Sequence, residues 1–363
     1  MEKVSNFTLK LGNSITGNPE MLFKIRGYVQ SHDCKIRAVV VSAPGRGKYF
    51  STKVTDLLEG IYDTKDVAVR EGLVQDLLKG FRNLAIDLGI YIDDKLSVEM
   101  FTQLCHVHTN RDYILSRGEY MTAEILGNFF GLQVVQPVQH IFIDTLGNFT
   151  GDVGNTFPEF PFIMPGFYGR AIESHDVRIF PRGGSDISAA FVAVATGTTL
   201  WRLTSTPLCY VDPAIVIKAR YITCLHYSDL LIMAELNKDV LHPSAVVLCQ
   251  KHKTHIRIGT LREVTEITDS VMPAFAGIHS PKDFYVPDEI KYAFPSNIRA
   301  VVVLGSGMVG KSGYVSRMSS VLSGITIHAI WSPPASGVVY FFVNEANRMS
   351  TIRLLYSELC HSD

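Results

Sequence analysis

Three short segments of the chain set glycines beside a single charged or hydroxyl side chain. The first is Lys10-Leu11-Gly12-Asn13-Ser14. A lysine at a strand end, followed by a glycine turn, can place an ammonium on a phosphate while backbone N–H groups approach it. The second is Ser116-Arg117-Gly118-Glu119. Its local pattern is that of a helix start, with a serine cap and a glutamate three residues later. The third is Arg182-Gly183-Gly184-Ser185-Asp186, which leads into the Ala-rich run DISAAFVAVAT. There Gly-Gly lets the backbone approach a ligand, Ser185 or Asp186 caps the helix, and the helix start favours an anion. A further tight turn, Pro165-Gly166-Phe167-Tyr168-Gly169, lies upstream. Each segment alone reads as a turn and a cap. All three in order within one α/β domain are much less common by chance.

A fourth segment, Gly305 to Ser312 (GSGMVGKS), fits the phosphate-loop pattern and lies between a strand and a helix. We reject that reading. The chain that follows is too short for a phosphate-loop domain's sheet, and the next strand, ITIHAI, carries no aspartate at its end to help hold Mg²⁺. A ferredoxin-like unit also needs a glycine-rich turn at this place.

The elements that must position these groups alternate along the first two-thirds of the chain. Phe7–Leu11 and Arg37–Ser42 are apolar, β-branched runs ending in turn residues, which predicts buried strands of a mostly parallel sheet. Residues 18–31 have helical spacing, Lys53–Leu88 holds two amphipathic stretches, and His140–Thr145 and Pro161–Met164 read as further strands. Asp186–Thr196 reads as a helix with an acidic first turn. This alternation predicts an α/β sandwich over 1–258. Prolines at 273, 281, 287 and 295 mark 259–296 as a connector or partial unit. Over 297–363 the predicted order is strand, helix, strand, strand, helix, which is the ferredoxin-like pattern.

The bulk properties agree. A chain of 363 residues, 47% apolar and 19% charged, can build a large core and suits two domains. Its net charge of -1 is spread along the chain, so no nucleic-acid partner is expected. No apolar run is long enough to span a bilayer, and MEKVSNFTLKLG lacks a signal-peptide core, so a cytoplasmic protein is expected. The six cysteines form no CxxC pair. Cys105-His106-Val107-His108 has no second ligand cluster at a useful spacing, so no protein-held metal site is expected.

Taken together, the motifs resemble aspartokinases of the amino-acid-kinase family. That signature begins K-F-G-G-[ST]-S, continues through V-V-S-A-P-G, a T-x-L-L helix and S-x-G-E, and then reads G-R-G-G-S-D. Here the corresponding stretches are KLGNSI (10–15), VVSAPG (40–45), KVTDLL (53–58), SRGE (116–119) and PRGGSD (181–186). Tyr227 to Pro243, ending VLHP, is similar to the family's Y-x-E…K-V-L-H-P stretch. Residues 298–359 look like the last of the family's ACT regulatory domains.

The resemblance implies a reaction in which ATP phosphorylates L-aspartate to 4-phospho-L-aspartate, with Mg²⁺ bridging the phosphates. It implies that Lys10 stabilises charge on the transferring phosphoryl group and Asp186 orients Lys10. Arg182 would clamp the substrate carboxylate and Glu119 would hold the substrate ammonium. Ser42, Thr55, Phe167 and Ser185 would complete the aspartate pocket. Gly12, Asn13, Ser14, Gly183, Gly184 and Lys238 would line the phosphates. A homodimer through the ACT domain is also implied.

The chain departs from the family pattern on the nucleotide side. Asn13 and Ile15 replace a glycine and a serine, which should crowd the phosphate loop. The family's W-T-D-V strand reads Trp201-Arg202-Leu203-Thr204, and its lysine before V-L-H-P falls on Asp239. Two other readings therefore stand beside the aspartate kinase: a kinase for a different amino acid, and a non-catalytic amino-acid sensor or partner subunit on a kinase scaffold.

Overall fold

Phe7–Leu11 (FTLKL) and Ile36–Val41 (IRAVVV) are buried along almost their whole length, as strands covered on both faces must be. In the computed structural model they form the middle of a parallel sheet. The structure describes residues 6–30, 36–106, 110–150, 157–181, 183–236, 240–269, 275–280, 297–309, 311–333 and 336–360. The chain divides into two units, residues 1–206 with 247–261, and residues 207–246 with 262–363.

In the first unit the strands Gln133–Val134, Phe162–Pro165, Ile36–Val41, Phe7–Leu11, Thr199–Leu203 and Ile256–Gly259 lie side by side in that order. Every neighbouring pair is parallel. The earlier strands lie on one side of Phe7–Leu11 and the two later ones on the other. The winding thus reverses at Phe7–Leu11, and a crevice opens at the carboxyl ends of strands beside such a reversal. The Gly184–Thr196 helix is buried from Gly184 to Ala193, in keeping with its apolar composition on all sides.

The expected strand His140–Thr145 is reduced to Phe142–Ile143, in a separate three-stranded sheet with Tyr168–Ala171 and Val177–Ile179. Local turn chemistry cuts it short. Pro137 opens a 3₁₀ turn before it, and the Asp144 carboxylate accepts from the Leu146 and Asn148 amides after it.

The second unit contains the expected order Ile298–Leu304, Tyr314–Val321, Ile327–Trp331, Val338–Asn344, Glu345–Cys360. Its antiparallel sheet runs Gly277–His279, Ile298–Leu304, Val338–Asn344, Ile327–Trp331. The fourth place of a ferredoxin-like sheet is therefore filled from upstream. Val301, Val303, Met318, Phe341, Ile352 and Leu355 pack its core. The stretch 259–296 contains the strands Val264–Thr268 and Gly277–His279, while its residues 270–274 and 281–296 lie outside the described residues.

The phosphate-loop match lies in this unit. Ser306–Met308 is one 3₁₀ turn, and the following helix starts only at Tyr314, with Gly313 at a left-handed φ of 89°. The Ser306 N–H and Oγ both donate to the buried Asp229 carboxylate, at 2.7 and 2.8 Å. An amide that would face a phosphate in a phosphate loop is here satisfied by a carboxylate.

Candidate functional site

The site lies in the first unit, at the carboxyl ends of the parallel strands. Lys10 is the fourth residue of Phe7–Leu11, and its Nζ pairs with Asp186 Oδ1 at 2.7 Å. Asp186 sits in the first turn of the Gly184–Thr196 helix, where the helix dipole favours a carboxylate. The helix is capped by the backbone of Gly183 (φ 83°), and the Asp186 amide donates to the Gly183 carbonyl. The expectation of a Ser185 or Asp186 side-chain cap is thus corrected. A left-handed residue is needed there, and glycine adopts that conformation without strain. Both side chains are nearly buried. Burial drives the Lys10 ammonium below its ordinary pKa, and Asp186 opposes that shift.

Glu119 reaches the same region from the middle of the Arg111–Phe130 helix. The reading of Ser116–Glu119 as a helix start is corrected here. Asn110 is the cap, accepting from the Asp112 amide, and Ser116 donates to the Tyr113 carbonyl within the helix. Gly118 has a packing role instead. A Cβ there would lie 2.9 Å from Ala43 Cβ and 2.9 Å from Val54 Cγ1. Its absence lets the helix close onto the Ala43 loop, and the Ala43 amide helps to stabilise the Glu119 carboxylate. Burial nevertheless pushes the Glu119 pKa up to about 8, with Lys10 acting weakly the other way. Its Oε2 is buried and has no hydrogen-bond partner among the described residues, so the carboxyl faces the site with acceptor capacity to spare.

The remaining predicted residues fall as follows. Gly12 lies two residues after Lys10, and a Cβ on it would come into van der Waals contact with Lys10 Nζ, at 3.7 Å. Asn13 and Ser14 form, with Ile15 and Thr16, a four-residue helix and are exposed. The Asn13 backbone is helical, where asparagine is tolerated, and its carbonyl accepts from the Gly45 amide at 2.9 Å. Ser42 is half-buried, and its amide donates to Leu11 O across the strand ends. Thr55 is half-buried in the first turn of the Val54–Asp63 helix.

Phe167 holds a left-handed φ of 78° and donates its amide to Ser188 Oγ. Such strain in a bulky residue marks a position held by its surroundings. Ser185 is buried against the Gly166 turn, where a Cβ would lie 2.9 Å from Ser185 Cα. At Gly184 a Cβ would meet Phe180 Cβ at 2.5 Å. Arg182 and Lys238 lie outside the described residues.

Sequence reading noticed Arg202 only as a departure from a pattern. It is the register partner of Lys10 on the adjacent strand, and its Nε lies 3.9 Å from Asp186 Oδ1. Pairing Phe7–Leu11 with Thr199–Leu203 would have found it, but that pairing is not local in sequence. Among the described residues no three His, Cys, Asp or Glu side chains gather as a metal cluster.

The arrangement is an ammonium held by a carboxylate, a second carboxyl with spare acceptors, and glycine-lined turns. It suits an anionic group beside a cationic one. A profile of the amino acid kinase family matches residues 9–260. Aspartokinase 3 of Bacillus subtilis is 27% identical over 263 residues, covering 66% of this chain and 57% of that relative. The chain thus spans little more than half the length of that relative. The aspartate kinase of Clostridium acetobutylicum superposes with a TM-score of 0.80 at 18% identity, covering 98% of this chain and 99% of that one. The E. coli aspartokinase III solved in complex with aspartate and ADP superposes with a TM-score of 0.73 at 15% identity, covering 98% and 100%. These two structures share the fold. Since the family profile covers residues 9–260, well over half of the chain, the chain belongs to the amino acid kinase family.

Proposed function

We propose that this chain is an aspartate kinase, transferring the γ-phosphoryl group of ATP to the β-carboxylate of L-aspartate to give 4-phospho-L-aspartate and ADP. The observation that carries the reading is the buried Lys10–Asp186 pair at 2.7 Å beside Glu119. A binding module has no need of an ammonium poised in this way. A side-chain carboxylate is already ionised at neutral pH, so the attack of its oxygen on phosphorus requires no general base. The residues' tasks are positioning and charge stabilisation. Lys10 offsets charge on the transferring oxygens, and Asp186 fixes its direction. Glu119, with its spare acceptor, receives the substrate ammonium. Arg182, Ser42, Thr55, Phe167 and Ser185 complete the acceptor pocket, and Gly12, Asn13, Ser14, Gly183, Gly184 and Lys238 border the phosphates.

Mg²⁺ would be carried on the nucleotide's own phosphate oxygens, where it neutralises phosphate charge. Domain limits of 1–258, 259–296 and 297–363, with the last an ACT domain, belong to the same proposal. So does a homodimer through that domain. Ile327–Trp331 is an outer strand of its sheet, and such an edge invites pairing with a second chain. We further propose that the chain works in the cytoplasm, in the first step of aspartate-family amino-acid biosynthesis or a related specialised pathway. No helix among the described residues is long and apolar enough to cross a membrane.

The test is ADP release from Mg-ATP with and without L-aspartate, trapping the acyl phosphate with hydroxylamine. Aspartate-dependent hydroxamate that disappears in Lys10→Ala supports the kinase. Hydroxamate with another amino acid alone would reassign the substrate. No hydroxamate, with aspartate still binding by calorimetry, would leave a sensor.

A further inference from the structure

We propose that Arg202 is a further phosphate-binding residue of this site, holding phosphoryl oxygens of the nucleoside triphosphate beside Lys10. The proposal rests on the kinase reading above.

Lys10 and Arg202 are register partners on adjacent parallel strands, so their side chains leave the same face of the sheet. They stand on the two strands that flank the reversal of winding. Arg202 Nε is 3.9 Å from Asp186 Oδ1, and its side chain is only 15% exposed. That oxygen is already engaged by Lys10 at 2.7 Å. Arg202 Nε is buried and has no hydrogen-bond partner among the described residues.

Two cations therefore converge on one carboxylate. Glu119 does not restore the balance at neutral pH without a ligand, since burial keeps much of it protonated. A buried surplus of positive charge is unfavourable unless an anion completes it. The guanidinium supplies a planar fork of donors that matches phosphoryl oxygens in pairs. Where the related pattern places a threonine and an aspartate, this chain has Arg202 and Leu203. The exchange adds a cation and removes an anion, which moves recognition toward the phosphates.

The experiment compares the full chain with Arg202→Thr and Arg202→Lys. Mg-ATP and L-aspartate binding are measured by calorimetry, and hydroxamate formation is measured in parallel. Circular dichroism melts identify a variant that fails to fold, in which case Arg202→Lys decides alone. Arg202→Thr should weaken Mg-ATP binding and lower kcat/KM for ATP by about 10- to 100-fold, the worth of a charge-assisted pair. The KM for aspartate should move less than about twofold, and Arg202→Lys should recover part of the loss. Unchanged ATP affinity in folded Arg202→Thr, or a loss confined to aspartate, would overturn the proposal. Wild-type protein that binds ATP through Arg202 but forms no hydroxamate would remove the kinase reading and keep the phosphate site. Wild-type protein that binds no ATP would overturn both.

Discussion

Lys10 Nζ stands 2.7 Å from Asp186 Oδ1, joining the centre of a parallel sheet to the first turn of a buried helix. An ion pair this dry is not worth keeping for stability alone, because desolvating the two charges offsets most of their attraction. The place of Lys10 at the fourth of five residues in Phe7–Leu11, near the carboxyl end of the strand, is what the proposed phosphoryl transfer would use.

Lys10→Ala should therefore lower kcat by at least about 10²-fold, the scale of removing one donor from a charge-stabilising site. Its stability should fall by less than the roughly 3–5 kcal/mol typical of breaking a buried pair, because Arg202 remains 3.9 Å from the same carboxylate. Hydroxamate kinetics and urea denaturation check the two parts separately. A folded variant with wild-type kcat would remove Lys10 from the chemistry.

Glu119 makes the site sensitive to pH. Its folded pKa, near 8, lies above the ordinary value of 4.5. A group raised in this way contributes stability that is complete below the unfolded pKa and is lost as pH rises through the folded one. Ligand-free wild type should thus lose stability relative to Glu119→Gln between about pH 5 and pH 8, approaching 1.4 kcal/mol per pH unit at most. Parallel melts of the two proteins across that range measure it, and parallel curves would disprove the shift.

The same shift has a signature in binding. If the substrate ammonium meets an ionised Glu119, L-aspartate binding below about pH 8 must release a proton from that carboxyl. Calorimetry in buffers of different ionisation enthalpy should find up to about one proton released near pH 7 and less in Glu119→Gln. Equal release by the two proteins would place the ammonium elsewhere.

Gly118→Ala tests how the Glu119 carboxyl is placed. The added methyl would meet Ala43 Cβ and Val54 Cγ1, each at 2.9 Å. Overpacking of this kind costs about 1–3 kcal/mol. It should also raise the aspartate KM, because the helix carrying Glu119 must withdraw from the Ala43 loop. A lowered melting temperature with unchanged KM would separate packing from site geometry.

In the second unit, Asp229→Asn should destabilise by about 1–3 kcal/mol. The Asp229 carboxylate accepts from both Ser306 N and Ser306 Oγ, and an amide cannot accept both bonds in place of two oxygens. Denaturation followed by Trp331 fluorescence, in a Trp201→Phe background shared by both proteins, reads this. Wild-type stability in the variant would show that the two bonds contribute nothing net.

Much of this protein was legible in its residues. The run IRAVVV reads as a covered strand, because an apolar, β-branched run with so little polar alternation has no face to give to water, whereas FTLKL alternates and is buried on both faces only because Thr8 and Lys10 find partners in Thr198 and Asp186. GGSD could be read as a helix start, because Gly-Gly and an early aspartate act locally. Local chemistry misled where a longer-range constraint prevailed. SRGE imitates a capping box yet lies in mid-helix, since the helix had already begun at Arg111 from an Asn110 cap. GSGMVGKS imitates a phosphate loop yet spends its first serine on Asp229.

The tertiary structure decided what pairing across the chain decides. It brought Arg202 beside Lys10, gave Gly118 its task against Ala43, and filled the outer place of the antiparallel sheet with Gly277–His279 from upstream. Side-chain type and near-neighbour spacing are properties of a segment. Strand order, register and the burial that drives Glu119 toward neutrality depend on which distant segments close upon one another.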